Sequence, residues 1–341
     1  MKRAMVMSVP RATFELLKTF QVALVCGCAL LAPAVANALT ADEVNRSGRP
    51  PATKSKVTRP SASIVKAQVL LARQGVSPGE IDGLDGDNYR KAIDQFRRRE
   101  NLGIGEIIDA PTWQALKGDG SADIVSDYEM TNEDIKTRFV RRIPRDYARQ
   151  ARMKRLGYRN AQEMFAERFH MSEGLLRVLN PRMHYRKREE TLHVVSVGRT
   201  LPSDEARTVE ADKTNGIVRA LDATGKVIAL YPATIGSEDT PSPDGEYQVI
   251  RVVKNPTYHY DPVKNFQQGK NKRRMVLPRG ANNPVGTIWI ELSKPTFGIH
   301  GTPEPSRISK ASSHGCVRLT NWDAEELARI VRPGTTVRFL Q

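Results

Sequence analysis

Residues 207–341 consist of short apolar runs separated by turn signals, and this pattern restricts the fold more than any other feature. The runs lie at 218–221, 227–231, 247–253, 288–292 and 337–340. Thr224-Gly225 and Asp244-Gly245 fall between them, and glycine provides the backbone angles that tight turns require. Apolar runs of this length, bounded by such turns, are typical of strands. The sequence therefore predicts a mostly β domain over residues 207–341.

The region before this domain has a helical pattern. Apolar side chains recur three and four residues apart in two stretches, first at Ile64, Ala67 and Leu70, and then at Ala92 and Phe96. Pro111 stands at the start of a third short helix, where the missing amide hydrogen costs nothing. We predict a small all-α domain at residues 61–118.

A second, mixed region is predicted at residues 155–200. Helical segments at 161–166 and 172–176 are followed by a valine-rich strand near 194–197, and Ser172 is a suitable N-cap for the second helix. The polar residues 39–60, with three prolines, are expected to form a flexible linker. The charged residues 119–154 are expected to form a connector that is helical in part.

Residues 1–38 have the organisation of a secretory signal peptide. A basic segment precedes the apolar run at 20–31, and Ala36-Asn37-Ala38 is a small-x-small cleavage site, so the mature chain would begin at Leu39. The apolar run is short for a transmembrane span, although an uncleaved membrane anchor stays open as an alternative. We expect an exported protein of the periplasm or cell wall.

The charge of the chain points to an acidic partner. The formal net charge is +15, and the predicted signal holds few of the basic residues, so the mature chain would stay strongly basic. Nucleic acid, anionic membrane and anionic cell wall all fit this charge. Export argues against nucleic acid.

Cys316 would be the only cysteine in the exported chain, because Cys26 and Cys28 lie within the predicted signal. A single cysteine excludes an internal disulfide, and an unpaired thiol in an oxidising compartment is best explained by chemistry. His300 is placed to accept the thiol proton, and Arg318 has the planar fork that binds a carboxylate. The amides of Gly315 and Cys316 are candidates for an oxyanion hole. The sequence therefore predicts acyl transfer by a cysteine nucleophile.

These residue types also fit other roles. His300, His314 and Cys316 have the right side chains for zinc, but their spacing fits no established ligand pattern, and we expect no metal. A buried structural cysteine is the simplest alternative. His314 is either a second catalytic group or a residue that shapes the oxyanion loop, and the second role is favoured.

The polar, basic stretch at residues 255–283 is long for a connection within a compact domain. Loops of this length are usually functional or mobile. The stretch is interpreted either as a lid over the site or as a surface excursion.

The block IHGT…SHGCVRLTNWDAEEL resembles the signature of the L,D-transpeptidase catalytic domain of bacterial cell-wall enzymes. Ile235-Gly236, Thr240-Pro241 and Asn283-Pro284-Val285-Gly286 agree with the family's upstream pattern, whereas Ser309 replaces a common glycine. The resemblance implies a β-sandwich-like catalytic fold. It implies that Cys316 is the nucleophile, that His300 is the base and later the acid, and that the Gly301 carbonyl orients His300. It also implies that Gly315, His314 and Ser313 form the oxyanion loop and that Arg318 and Thr302 bind substrate.

The resemblance also implies a reaction. The thiolate attacks the carbonyl of the third residue, a diamino acid, in a peptidoglycan tetrapeptide stem. D-alanine leaves, a thioester forms, and an amine of another stem resolves it to a 3→3 cross-link. No cofactor is required, and carbapenem inhibition is expected.

The acceptor stays open at this stage. The amino terminus of an outer-membrane protein would make the enzyme a protein-anchoring transpeptidase, and water would make it an L,D-carboxypeptidase. A non-catalytic peptidoglycan-binding protein that kept the fold is a further alternative.

Two more resemblances concern the N-terminal regions. The run IDGLDGDNYRKAIDQFRRRENL at 81–102 resembles a peptidoglycan-binding helical domain, although Arg97 replaces the usual glutamine. The order AERFHMSEGLLRVLNP…LHVVSVG resembles a LysM module, whose first strand is poorly represented. Binding of glycan and a purely structural role both stay open for each region.

Overall fold

The computed structural model describes residues 39–52, 58–120, 122–185, 190–198, 205–236, 241–264, 266–310 and 315–341. The predicted signal peptide at 1–38 lies outside these residues, as do Ser313 and His314. None of the helices in the described ranges is both long enough and apolar enough to cross a membrane.

The described residues form nine α-helices and thirteen strands. The helices are α1 (Ala41–Arg46), α2 (Ala62–Arg73), α3 (Asp87–Arg99), α4 (Ala110–Ala115), α5 (Asn132–Lys136), α6 (Tyr147–Gln150), α7 (Ala161–Arg168), α8 (Glu173–Leu179) and α9 (Asn321–Ile330). The strands are β1 (Val125–Glu129), β2 (Thr191–Val195), β3 (Thr208–Asp212), β4 (Ile217–Leu221), β5 (Val227–Pro232), β6 (Thr234–Ile235), β7 (Gly245–Lys254), β8 (Tyr258–Tyr260), β9 (Met275–Leu277), β10 (Ile288–Leu292), β11 (Gly298–His300), β12 (Val317–Arg318) and β13 (Thr336–Leu340).

The prediction of a flexible linker was wrong for residues 41–46, which form α1. Thr40 and Glu43 make a reciprocal capping box, which satisfies amide groups that a helix start leaves unpaired. Val44 is fully buried, and the Asn45 side chain accepts from the amide of Val125 and donates to its carbonyl. This docking, which proline content does not reveal, orders the start of the segment.

The helices predicted at residues 61–118 are present as α2, α3 and α4. Arg97, which replaces the glutamine of the resembled pattern, forms an ion pair of 2.7 Å with Asp109 and donates to the Thr112 hydroxyl at 2.6 Å. It therefore ties α3 to the start of α4.

Strand β1 lies inside the segment that was predicted as a charged connector. It pairs antiparallel with β2, from Val125 opposite Val195 to Glu129 opposite Thr191. Helices α7 and α8 lie between these strands in sequence, and their apolar residues share one core with α2, α3, β1 and β2. Only Val125 of β1 is buried, and Asp127 and Glu129 are exposed and charged, which is why the composition of the segment hid the strand.

The prediction of a mostly β domain over residues 207–341 is confirmed. Nine strands form a sheet in the order β5-β4-β3-β13-β7-β10-β11-β12-β6. The first half of β7 pairs with β13 and the second half pairs with β10, so the two halves of the sheet share this strand. The inward faces of both halves and one side of α9 bury a common apolar core.

The helical part and the sheet are in contact. Val76 forms a bridge with Leu230 of β5, and the Asn88 side chain donates to the Ile308 carbonyl at 3.1 Å. One face of α3 therefore packs on the β domain.

Residues 255–283 carry a structure of their own. Strands β8 and β9 form an antiparallel hairpin in which Tyr258 lies opposite Leu277. Tyr260 and Leu277 are buried against Leu156, so the hairpin packs on the segment between α6 and α7. A two-stranded hairpin needs such support, because it is marginally stable alone.

Candidate active site

Two neighbouring strands bring the predicted reactive residues together. Strands β11 and β12 are parallel, with Ile299 opposite Val317 and His300 opposite Arg318. Successive side chains of a strand point to opposite faces, so Cys316 shares the face of His300 and Arg318. Ile299 and Val317 are fully buried on the core side. Residues sixteen apart in sequence are thereby neighbours on one surface of the sheet.

The imidazole of His300 is buried and fixed. Its Nδ1 lies 2.7 Å from the Gly301 carbonyl oxygen, so Nδ1 carries the proton and Nε2 is the acceptor of the neutral ring. The Trp289 ring stacks on it with centroids 5.7 Å apart. Burial and the charge of Arg318 together lower the pKa of His300 to about 3, although the hydrogen bond to Gly301 acts to raise it. The imidazole is therefore neutral at pH 7.

The thiol of Cys316 is half-buried and lies 3.8 Å from the Thr296 carbonyl oxygen, to which it donates. Burial raises the pKa of the Cys316 thiol, while a backbone hydrogen bond from Gly298 and the charge of Arg318 act to lower it. A raised thiol pKa and a lowered imidazole pKa together mean that the resting pair is neutral at pH 7.

Gly315 adopts a backbone conformation that requires glycine. Its φ is +98°, and a Cβ atom there would lie 2.9 Å from the Phe297 ring. The turn into Cys316 therefore has no room for a larger residue.

Asn321 supports the His300 loop from behind. A Cβ atom on Gly301 would lie 2.2 Å from Oδ1 of Asn321, so the two residues are in close contact. Asn321 accepts from the Thr287 amide at 3.1 Å, and its Nδ2 donates to the Glu167 carboxylate of α7 at 3.0 Å. Asn321 thus links the Glu167 side chain of the N-terminal region to Gly301, whose carbonyl holds His300.

The two residues that the resemblance assigns to substrate binding differ in their surroundings. The Thr302 hydroxyl is buried and accepts from the Glu304 amide at 3.2 Å, which stabilises the turn after β11. Arg318 is half-buried on β12, and its charge influences the pKa of both His300 and Cys316. The charge of Arg318 therefore acts on both members of the reactive pair.

Ser309, where the family pattern has glycine, has a φ of +62°. Its amide donates to the Thr234 hydroxyl at 2.9 Å, and its own hydroxyl donates to the Ala233 carbonyl at 3.1 Å. These bonds offset the strain that a side chain meets in this left-handed conformation.

A cavity of about 630 Å³ opens beside the reactive pair. Two of its lining residues touch that pair, because Trp289 stacks on His300 and Thr296 contacts Cys316. The hairpin of β8 and β9 forms another wall through Tyr258 and Met275. The cavity thus lies between the sheet and residues of the stretch interpreted above as a lid or a surface excursion.

Sequence reasoning missed Trp289, Tyr258 and Asn321. Trp289 was included in a predicted strand but not linked to His300, and Asn321 lies inside the motif block without a known role. The aromatic residues of a basic loop were the available signal for Tyr258.

No group of three or more histidine, cysteine, aspartate or glutamate side chains that could hold a metal ion occurs in the described ranges. His314, one of the three ligands considered for zinc, lies outside those ranges.

Comparison with known proteins identifies similar sequences for this part of the chain. The family model of the L,D-transpeptidase catalytic domain, YkuD, matches residues 206–338. YqjB of Bacillus subtilis, provisionally named an L,D-transpeptidase, is 32% identical over 142 residues, which cover 40% of this chain and 72% of that protein. YkuD of the same organism is 35% identical over 117 residues, which cover 34% of this chain and 56% of that protein.

The chain spans just over half the length of the YkuD proteins of Bacillus subtilis and Bacillus licheniformis, at 56% and 59%. Among solved structures, L,D-transpeptidase 3 from Mycobacterium tuberculosis in complex with a faropenem-derived adduct has a TM-score of 0.34 and 18% identity. That comparison covers 40% of this chain and 61% of the other.

Proposed function

This chain belongs to the L,D-transpeptidase family of the YkuD type, and we propose that it catalyses acyl transfer on peptidoglycan stem peptides with Cys316 as nucleophile. The observation that carries the proposal is the register of β11 and β12. It puts His300 and Cys316 on one face, while the Gly301 carbonyl holds His300 with Nε2 as the proton acceptor.

The first step is attack by sulfur on the carbonyl carbon of the third residue of a tetrapeptide stem. The pair is neutral at rest, so the thiol proton passes to Nε2 of His300 as the sulfur–carbon bond forms. Burial disfavours the charged imidazolium. The negative charge of the developing oxyanion, which forms close to the ring, offsets this cost. His300 then returns the proton to the amine of D-alanine as the carbon–nitrogen bond breaks, leaving a thioester.

The oxyanion needs donors that are fixed before the reaction begins. The positive φ of Gly315 turns the chain sharply into Cys316, which supports the amides of these two residues as donors. Arg318 would bind a carboxylate of the stem, and Thr302 would support this site through the turn that it stabilises. Ser313 and His314 are proposed to shape the same loop.

In the second step an amine attacks the thioester, and the thiol is regenerated. An amine of another stem gives the 3→3 cross-link, which is the proposed product. A protein amino terminus or water would give wall anchoring or carboxypeptidase activity instead. Carbapenems, which acylate a thiolate through their strained lactam, are proposed inhibitors of Cys316.

The remaining regions fit a role at the cell wall. The strongly basic chain matches the free carboxylates of peptidoglycan. Strand β1 pairs with β2, with α5 to α8 between them in sequence, and we propose a LysM-like module here that binds glycan. We propose an exported protein whose N-terminal regions hold the enzyme near its substrate.

Intact mass spectrometry tests the proposal. The purified protein and its Cys316→Ala variant are incubated with disaccharide-tetrapeptide, and the small products are analysed together with the protein. A thioester adduct on the wild type alone, with a 3→3 dimer in solution, is the expected result. Tripeptide without dimer would assign water as the acceptor, and an amide-linked conjugate of the tripeptide stem with an added protein amino terminus would assign anchoring.

A folded wild-type protein that forms no adduct and no product would overturn the proposal. Binding to peptidoglycan that persists in both proteins would then favour the non-catalytic alternative.

A further inference from the structure

An aromatic side chain from outside the family match packs against the wall of the cavity. Tyr147 is the first residue of α6, whereas the catalytic-domain match begins at residue 206. Its ring meets those of Tyr258, Tyr260 and Phe266 edge to face, with centroids 5.9, 5.3 and 6.2 Å apart. Edge-to-face pairs are attractive beyond the apolar area that they bury. Tyr147 is therefore the centre of a cluster that fixes the β8–β9 hairpin.

Hydrogen bonds hold this cluster against the loop between β8 and β9. The Tyr147 amide donates to the Gln268 side chain at 3.2 Å, and Gln268 in turn donates to the Arg145 carbonyl at 3.0 Å. The Gln268 amide donates to the Tyr260 hydroxyl at 2.8 Å. The start of the short helix is thus tied to the loop that joins β8 and β9.

A second set of contacts fixes the far end of the same stretch. The Leu156 amide donates to the Arg279 carbonyl, and the Leu156 carbonyl accepts from the Asn282 amide, both at 2.8 Å. A Cβ atom on Gly280 would lie 2.2 Å from the Leu156 carbonyl oxygen, so the two backbones touch. Residues 143–157 therefore brace the hairpin along its length.

Residues 143–157 are connected to the reactive residues by way of Tyr258 and Arg318. Tyr258 lines the cavity. Burial raises the pKa of Tyr147 to about 12, while the charge of Arg318 acts against this rise, so the phenol and the guanidinium are near each other. The same charge and that of Cys316 influence the pKa of Tyr258. Both tyrosines are thus within electrostatic range of Arg318, the residue proposed to bind the stem carboxylate.

We propose that Tyr147 is a positioning residue for the transfer reaction, whose ring holds Tyr258 and the β8–β9 hairpin in the place where they close the substrate cavity. This inference rests on the proposed function, because the substrate that the cavity takes is the peptide stem. It makes a segment outside the catalytic-domain match part of the machinery that binds substrate.

A purely structural role for Tyr147 predicts a different result from a positioning role. Loss of packing energy alone would lower the melting temperature and leave the KM of the folded enzyme unchanged. Loss of positioning would leave Cys316 reactive but open the cavity, so that KM for the stem rises while kcat changes little.

The experiment compares Tyr147→Ala, Tyr147→Phe and a control, Tyr247→Ala, in the full protein. Tyr247 also packs edge to face, with Phe339 at 6.0 Å, but it lies on β7 outside the cavity. For each protein, kcat and KM are measured with disaccharide-tetrapeptide, and hydrogen exchange is measured for peptides that contain β8 and β9. A thermal melt establishes that each variant is folded at the assay temperature.

The expected result is a KM about tenfold higher for Tyr147→Ala, with faster exchange in the hairpin. Tyr147→Phe, which keeps the ring, and Tyr247→Ala are expected to stay within about threefold of the wild type in KM. An unchanged KM and unchanged exchange in Tyr147→Ala would overturn the inference, and so would Tyr147→Phe behaving like Tyr147→Ala.

Hydrogen exchange separates this inference from the proposed function. If the wild type turns over no stem peptide, the proposed function is contradicted. If its hairpin is nevertheless more protected from exchange than that of Tyr147→Ala, the role of the Tyr147 ring in holding the hairpin is supported. If Tyr147→Ala fails to fold, the comparison of Tyr147→Phe with Tyr147→Leu still tests whether an aromatic ring is required for KM and hairpin protection.

Discussion

The carbonyl oxygen of Gly301 lies 2.7 Å from Nδ1 of His300, its own neighbour in sequence. A main-chain carbonyl thereby selects the tautomer of a buried imidazole. A serine-protease histidine is held by an aspartate, which also stabilises the imidazolium. A carbonyl supplies orientation with only a partial charge, which is consistent with a base that is neutral at rest.

Replacing His300 by glutamine tests this arrangement. Glutamine has a similar length and can donate to the Gly301 carbonyl, but it cannot accept the thiol proton and return it. Acylation of Cys316 by the stem peptide at pH 7 is expected to fall by about 10²–10⁴-fold, the usual contribution of a general base. Intact mass against time gives the rate.

The control is alkylation of Cys316 by iodoacetamide, which shows that the thiol is still accessible in the His300→Gln variant. Acylation at the wild-type rate would contradict the role of His300 as base.

The pH dependence of Cys316 tests whether the resting pair is neutral. Only the thiolate reacts with iodoacetamide, and burial raises the pKa of the thiol. The alkylation rate is therefore expected to rise about tenfold for each pH unit between pH 6 and 8. A thiolate–imidazolium pair would instead give a rate that is flat across this range.

Arg318→Gln separates the effect of charge on the pKa of the Cys316 thiol from the effect of burial. The charge of Arg318 lowers the pKa of Cys316, so its removal raises that pKa further and slows alkylation about threefold to tenfold at pH 7. Iodoacetamide is neutral, and so any loss of carboxylate binding does not enter this measurement. Arg338→Gln on β13, whose partners are Glu210 and Glu246, is the control.

The motif around Cys316 made the centre of the site predictable from sequence. Histidine, glycine and cysteine recur there in a spacing that follows from two adjacent strands and one tight turn. The resembled family commonly has glycine at the position of Ser309. The structure gives this serine a φ of +62°. The reason for that glycine is therefore a left-handed backbone, which the serine adopts with the help of two hydrogen bonds.

The supports of the site were not predictable in the same way. Asn321, Glu167 and Tyr147 act through contacts between segments far apart in the chain, and local periodicity carries no information about such pairings. Strand β1 was missed for a related reason, since two of its five side chains are exposed and charged, and its partner β2 lies more than sixty residues away. The predicted strands of residues 207–341 succeeded because apolar runs and turn residues are local signals.

Gly315→Ala tests whether the turn into Cys316 is needed for activity beyond its effect on folding. The positive φ alone should cost about 1–2 kcal/mol in the free energy of unfolding. The contact of the new Cβ atom with the Phe297 ring adds a displacement of the loop. Acylation of Cys316 is expected to fall about 10–100-fold in the folded variant, because small displacements of a reactive group are costly.

Gly334→Ala is the matched control. Gly334 has a φ of +91°, close to that of Gly315, and a Cβ atom there has no neighbour within 4 Å. The two variants should lose similar stability in urea unfolding, whereas only Gly315→Ala should lose acylation. Equal loss of acylation in both would assign the effect to stability alone.

Glu167 links folding stability to pH. This carboxyl of α7 accepts from the Tyr158 hydroxyl and from Asn321, each at 3.0 Å, and its burial raises its pKa to about 7, with the nearby Glu325 and Glu163 acting in the same direction. An acid whose pKa is higher in the folded state binds its proton more tightly there. Its contribution to stability is therefore complete below the unfolded value of 4.5 and is lost as pH rises through about 7.

Glu167→Gln removes this titration while keeping the shape and a hydrogen bond to Asn321. The free energy of unfolding of the wild type should fall relative to the variant between pH 5 and 8, by roughly 2–4 kcal/mol. Urea unfolding at several pH values measures the difference, with Glu133→Gln, at an exposed position on α5, as the control for loss of an acidic side chain. A difference between wild type and Glu167→Gln that does not change with pH would mean that Glu167 is ionised in the folded protein throughout this range. Asn321 would then contact a charged carboxylate behind the His300 loop at every pH at which the enzyme acts.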